Sequence, residues 1–203
     1  MRSSEHVLCE AFPCGDVRHE GYLVPDIELN PAAVSIVMIS EAAPAVARDY
    51  YYVGDEALFA QTTVQAFQDA GADVSTLADV LELGVYLTTA VKCAKTGYAI
   101  QVATVRACSQ LLERELALFP DARAWMCMGD VAIKAVNEIA RRAGEGRVIP
   151  AGSTYKIRDG EFFFHGRRVF PSYLQAGPSF FIEKSKRRMI AEDLAAALQW
   201  VKS

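Results

Sequence analysis

Glu41 leaves the apolar run VSIVMIS (34–40) directly into a turn of small residues, SEAAP (40–44). A carboxylate so placed can position a water or stabilise a developing cation. Ala42 and Ala43 let another molecule approach the backbone closely. Tyr50, Tyr51 and Tyr52 follow in DYYYVG, and an aromatic ring there can stack on a base. The competing reading has Glu41 buttressing the turn with the tyrosines packed beneath it. Cysteines make the second candidate group. Cys93 and Cys108 have 14 residues between them, and Cys9 and Cys14 are separated by four. Four thiolates in two pairs can close a site for an iron–sulfur cluster or for zinc. The alternative is no metal, with Cys108 as a core residue on an apolar helix face. His6, His19 and His165 are the only histidines, so a zinc site with several His ligands is hard to build. Cys127, inside WMCMG, reads as plain core.

The elements that must position these groups follow from periodicity. VSIVMIS (34–40), VYLTTAV (85–91) and ARAWMCM (122–128) are apolar runs of the kind buried on both faces of a parallel sheet. Helical spacing is expected around 57–70, over 102–118 and at roughly 131–142, with Gly71 and Phe119-Pro120 as stops. On the second helix Val105, Cys108, Leu112 and Leu116 share one face. TYKIR, a turn at Asp159-Gly160 and EFFFHGRRVFPSY read as a β-hairpin. A last helix over about 183–201 turns Ile190, Leu194, Ala197, Leu198 and Val201 inward, and Lys184, Lys186, Arg187 and Arg188 crowd its first turns. Cations there oppose the helix dipole, so the stretch either awaits an anion or is a plain exposed basic segment. The expected fold class is α/β. It is a three-layer αβα sandwich around a mainly parallel four-stranded sheet, with a β-hairpin before the last strand. Residues 1–203 form one domain, in which 1–33 is irregular. In such sheets ligands bind beyond the carboxyl ends of the strands, which places any chemistry at Ser40-Glu41-Ala42, Val91-Lys92-Cys93, Met128-Gly129-Asp130 and Pro171-Ser172-Tyr173.

With 52% apolar and 23% charged residues, the composition excludes intrinsic disorder. No apolar stretch approaches the roughly 20 residues that cross a bilayer, and the first residues carry no apolar signal core. A cytoplasmic monomer without membrane contact is expected. The net charge of −4 conceals an asymmetry: residues 1–140 hold 9 Lys and Arg against 19 Asp and Glu, whereas residues 141–203 hold 12 against 6. A basic last third fits a face that meets an anion, or uneven surface charge without a role.

The order of these segments resembles the uracil-DNA glycosylase superfamily, most nearly its family 4, the iron–sulfur type, from about Val34 to Leu198. SEAAP looks like that family's Gly-Glu-x-Pro-Gly loop. DYYYVG looks like the segment that places an aromatic over the base, which would be Tyr52. VYLTTAVKCAKTG (85–97) looks like the strand carrying a base-reading side chain and then a cluster cysteine. RVFPSYLQAGPS (168–179) falls where the family has a His-Pro-Ser loop that enters DNA. The resemblance implies a protein that flips a damaged base, uracil or related, out of damaged or single-stranded DNA and hydrolyses its N-glycosidic bond. It makes Glu41 catalytic and Ala42, Tyr52, Thr89, Ser172 and Gln175 base-binding. Lys184, Lys186, Arg187 and Arg188 would bind phosphates, and Cys9, Cys14, Cys93 and Cys108 would hold a 4Fe-4S cluster, with zinc or no metal as alternatives. Two departures stand out. Thr89 occupies the family's Asn position and cannot make a paired amide contact. Leu174 occupies the His position and cannot donate to a departing base. Weak or altered activity is the first expectation. A catalytically inactive DNA-binding member of the same fold is the second, and a small-molecule α/β hydrolase with an anion site at Gly129-Asp130 is the third.

Overall fold

A computed structural model describes residues 1–203. Six strands form one sheet: β1 (Val17–Arg18), β2 (Ile36–Ala43), β3 (Val85–Lys95), β4 (Ala124–Met128), β5 (Phe162–Phe164) and β6 (Arg167–Ser172). Their spatial order is β1-β3-β2-β4-β6-β5. The four central strands are parallel. β1 and β5 add antiparallel edges. The helices are α1 (Leu58–Asp69), α2 (Leu77–Glu82), α3 (Val102–Leu116), α4 (Asp130–Arg142), α5 (Thr154–Ile157), α6 (Ser179–Ile182) and α7 (Lys184–Lys202). No helix is long and apolar enough to cross a membrane.

Central strands buried on both faces read as unbroken apolar runs because alternate residues serve two cores. Val37, Ile39, Trp125, Cys127 and Val169 pack under α3 and α4. Ile36, Met38, Met126, Met128 and Phe170 pack under α1 and α7. The expected face of α3 is borne out, since Val105, Cys108, Leu112 and Leu116 are all buried. On α7, Ile190, Leu194 and Ala197 are buried, while Leu198 and Val201 are only half-buried.

The α/β layering stands, with two corrections. The sheet has six strands rather than four. β1 is two residues long and shows no period by itself, and it exists because it pairs with the end of β3, Val17 opposite Lys95. The hairpin is also displaced. TYKI is a helical turn: only Ile157 is buried, and Tyr155 lies in solvent, so the apparent alternation is unused. The actual hairpin is β5–β6, closed by His165 and Gly166 at φ of 48° and 79°. Two successive left-handed residues match the twist of paired strands.

Beyond its short pairing with β1, the outer edge of β3 is open. Buried edge groups need partners. Leu23 supplies one, its N–H donating to the Lys92 carbonyl at 2.7 Å. Tyr52 supplies two, and that decides its role below.

Candidate active site and thiol pocket

β2 carries Glu41 out of the core at its carboxyl end, where the strand register slips between Ala42 and Ala43. A pocket of about 520 Å3 opens there, lined among others by Glu41, Ala42, Pro44, Phe59, Lys95 and Leu174. The Glu41 carboxylate lies against Gly129, the residue that precedes α4. Gly129 makes this possible. A Cβ on Gly129 would sit 2.6 Å from Glu41 Oε1 and 2.8 Å from its Cγ, and the residue has φ of +98°. Gly129→Ala is therefore expected to cost about 1–3 kcal/mol through backbone strain, read as a lower denaturation midpoint. Lys95 Nζ stands 3.8 Å from Glu41 Oε2 and is its one ion-pair partner. Arg18 on β1 donates to the Ala45 carbonyl and holds the turn from below.

Of the residues expected to bind a base, Ala42 lines the pocket, and the others do not. Tyr52 is half-buried, and its hydroxyl donates to the Leu87 carbonyl at 2.8 Å and accepts from the Leu87 N–H at 3.0 Å. It seals the open edge of β3. Phe59 of α1 is the aromatic ring that reaches the pocket. Thr89 is fully buried and its Oγ1 has no partner. Ser172 ends β6 under α7 and donates to Asp193 Oδ2 at 2.5 Å. Asp193 also accepts from Arg158 at 2.7 Å, and burial raises its carboxyl to about 6. Gln175 is fully buried. Its amide nitrogen donates to Tyr51 Oη at 3.0 Å and Ser40 Oγ at 3.2 Å. Ser172 and Gln175 thus hold the 171–179 loop from beneath rather than reading a ligand. Leu174, expected as a departure, does face the pocket.

The basic stretch is partly neutralised within the chain. Lys186 pairs with Glu183 at 2.8 Å and Arg188 with Glu192 at 3.7 Å, both exposed. Such pairs contribute about 0–1 kcal/mol and yield readily to a phosphate. Arg187 instead clamps α7 to α1, with NH2 donating to Asp69 Oδ1 at 2.8 Å. Lys184 makes no ion pair. Sequence reasoning missed Phe181 and Ile182, which project from α6 beside the pocket wall, Ile182 being 78% exposed. The signal was present: an apolar FFI placed directly before a run of cations.

Cys9, Cys14, Cys93 and Cys108 line one pocket of about 500 Å3. The N-terminal segment supplies two of the thiols, the end of β3 the third and α3 the fourth. Burial pushes the Cys93 thiol up to about 12, and Cys108, Cys9 and Cys14 push the same way. Cys14 and Cys108 are raised as well, chiefly by burial. The Lys92 N–H donates to Cys108 Sγ at 3.3 Å. No three His, Cys, Asp or Glu side chains converge closely enough to hold a single metal ion.

An open, mainly parallel sheet with helices on both faces and an acid-bearing pocket at the carboxyl ends of its strands defines an α/β protein of the doubly wound kind. The family model of the uracil DNA glycosylase superfamily matches residues 28–198, and the chain belongs to that superfamily. Over 58 residues it is 38% identical to a type-5 uracil-DNA glycosylase of Thermus thermophilus. That stretch is 29% of this chain and 26% of the relative, so the likeness spans about a quarter of that protein's length. The relative is of type 5, whereas the motif series resembles family 4; superfamily membership is common to both.

Proposed function

We propose that this protein is a DNA glycosylase, which takes a damaged base out of DNA and hydrolyses its N-glycosidic bond. Superfamily membership supports the reaction class, and the position of Glu41 carries the assignment of the site. Glu41 is a half-buried carboxylate lining the strand-end pocket that also receives the 174–179 loop. Bond cleavage leaves cationic character on the sugar, and the carboxylate stabilises it and accepts a proton from the attacking water. The flipped base would lie between the 42–45 turn and the 174–179 loop, with the Phe59 ring at the wall. Phe181 and Ile182 would fill the gap in the stack, as apolar wedges do in kinked duplexes. Lys184, Lys186 and Arg188 would bind phosphates without sequence preference.

The direct test is an oligonucleotide cleavage assay with uracil, 5-fluorouracil and hypoxanthine, in single strands and duplexes. Release of at least one base is expected. The second reading, an inactive DNA-binding member, is favoured by one observation: neither Thr89 nor Gln175 offers a hydrogen-bonding group to the pocket. Release of no base, with binding that weakens steeply as salt rises, would select it.

We infer that the four thiols are the donor set of an iron–sulfur cluster, since all four line one pocket between the N-terminal segment, β3 and α3. Such a cluster would supply structural cross-linking. Cys9, Cys14, Cys93 and Cys108 would hold it, tying the N-terminal segment to β3 and α3. Cys93→Ser is expected to remove bound iron and brown colour and to lower the unfolding midpoint, measured on anaerobically purified protein. A colourless wild-type protein carrying zinc would overturn the cluster.

A further inference from the structure

Breaking an N-glycosidic bond creates two opposite charges: a cationic sugar and an anionic base. Glu41 serves the first. For the second, the pocket must offer a donor to the departing base. The expected histidine position is Leu174, a hydrocarbon that lines the pocket wall. Gln175, next to it, has its amide engaged by Tyr51 and Ser40. Thr96 and Ser179 bring neutral hydroxyls, and Asp49 brings a second negative charge. Lys95 is the one cation lining this pocket.

We propose that Lys95 is a catalytic residue that donates to the departing base, taking the place of the absent histidine; this rests on the glycosylase reading of the Glu41 pocket. Its ammonium carries three donors and no acceptor. At 3.8 Å from Glu41 Oε2 it is beyond ordinary hydrogen-bond length, so its N–H groups are free to meet another oxygen. The side chain is 31% exposed, partly desolvated, and Nζ lies 5.7 Å from the Tyr98 ring centroid. The carboxylate and the ammonium therefore stand side by side with signs opposite to those the bond develops as it breaks. The electron pair of the C1′–N bond leaves with the base. The water oxygen joins C1′, its proton passes to Glu41, and the base anion is held by Lys95 until it takes a proton from solvent.

The backbone of Lys95 is fixed from three sides. It is the last residue of β3 and pairs with Val17 of β1. Thr96 Oγ1 donates to the Asp16 carbonyl at 2.8 Å. Ala94 packs so closely on Gly21 that a Cβ there would lie 2.3 Å from the Ala94 Cβ. All three partners belong to the segment that also carries Cys9 and Cys14. The thiol pocket and the donor thus share one support.

The test is single-turnover release of uracil, 5-fluorouracil and hypoxanthine by wild type, Lys95→Gln and Lys95→Arg, with DNA affinity measured alongside. Loss of one such donor typically lowers the rate by about 10²–10³. Lys95→Gln is expected to lose that much on uracil and clearly less on 5-fluorouracil, because fluorine already stabilises the leaving anion. Lys95→Arg, which keeps the charge, is expected to retain most of the rate. Equal losses on both pyrimidines, or a loss confined to affinity and its salt dependence, would make Lys95 a phosphate contact and overturn the assignment. Rates unchanged in Lys95→Gln on every base the wild type releases overturn it alone. A wild type that releases none of the three bases overturns the glycosylase reading itself.

Discussion

Glu41→Gln is expected to lower the single-turnover rate of base release by about 10²–10⁴, the usual contribution of a positioned proton acceptor. The substitution keeps the shape of the side chain, so its fit against Gly129 survives. What it removes is the negative charge. An amide neither takes the proton of the attacking water nor stabilises a cationic sugar. Little stability should be lost, because the Lys95 pair is long and partly exposed, and pairs of that kind contribute about 0–1 kcal/mol. Rate and unfolding midpoint measured on the same preparation separate the two effects. A fall of less than tenfold would remove Glu41 from the chemistry.

Glu115→Ala is expected to cost about 3–5 kcal/mol of folding stability, the usual result of stranding one partner of a buried ion pair. Lys92 and Glu115 are both fully buried and paired. Lys92 Nζ also donates to Thr88 Oγ1 at 2.8 Å and to the Thr89 carbonyl at 2.6 Å. Glu115 accepts from the Tyr86 hydroxyl at 2.7 Å and from Thr88 at 2.9 Å. Truncating the acid removes the only counter-charge of a buried ammonium and an acceptor that the Tyr86 and Thr88 hydroxyls share. Domains are stable by only about 5–15 kcal/mol, so the loss is a large share of the total. The double variant Lys92→Met with Glu115→Leu should recover much of it, since apolar replacement of a whole pair is often neutral. Chemical denaturation of the two variants decides the matter, and a single-variant cost below about 1 kcal/mol would show that the pair contributes little.

Apolar runs were enough to place the central strands, because a strand covered on both faces leaves no room for polar residues. Helix faces were equally legible: Val105, Cys108, Leu112 and Leu116 recur at helical spacing and all are buried. Short elements were not. β1 has two residues, and its pairing with Lys95 depends on a chain segment far away in sequence. α5 offered Tyr155 and Ile157 as false alternation, and only the burial of one of them resolved it.

The residue types and order in SEAAP and in the four cysteines are properties of the sequence, and they marked Glu41 and a four-thiol pocket. Polar roles were settled by tertiary contacts alone. Thr89, Ser172, Gln175 and Tyr52 could each have faced a ligand or a neighbour, since a hydroxyl or amide is satisfied by either. Folding spent three of them on partners within the protein, Asp193 for Ser172, Tyr51 and Ser40 for Gln175, and the Leu87 backbone for Tyr52. The fourth, Thr89, is buried away from the pocket with its hydroxyl unpartnered. Lys95 drew no notice in the sequence, where it is one lysine among many. It stands 3.8 Å from Glu41 because β2 and β3 run parallel and their register slips between Ala42 and Ala43, which sets Ala43 opposite Ala94.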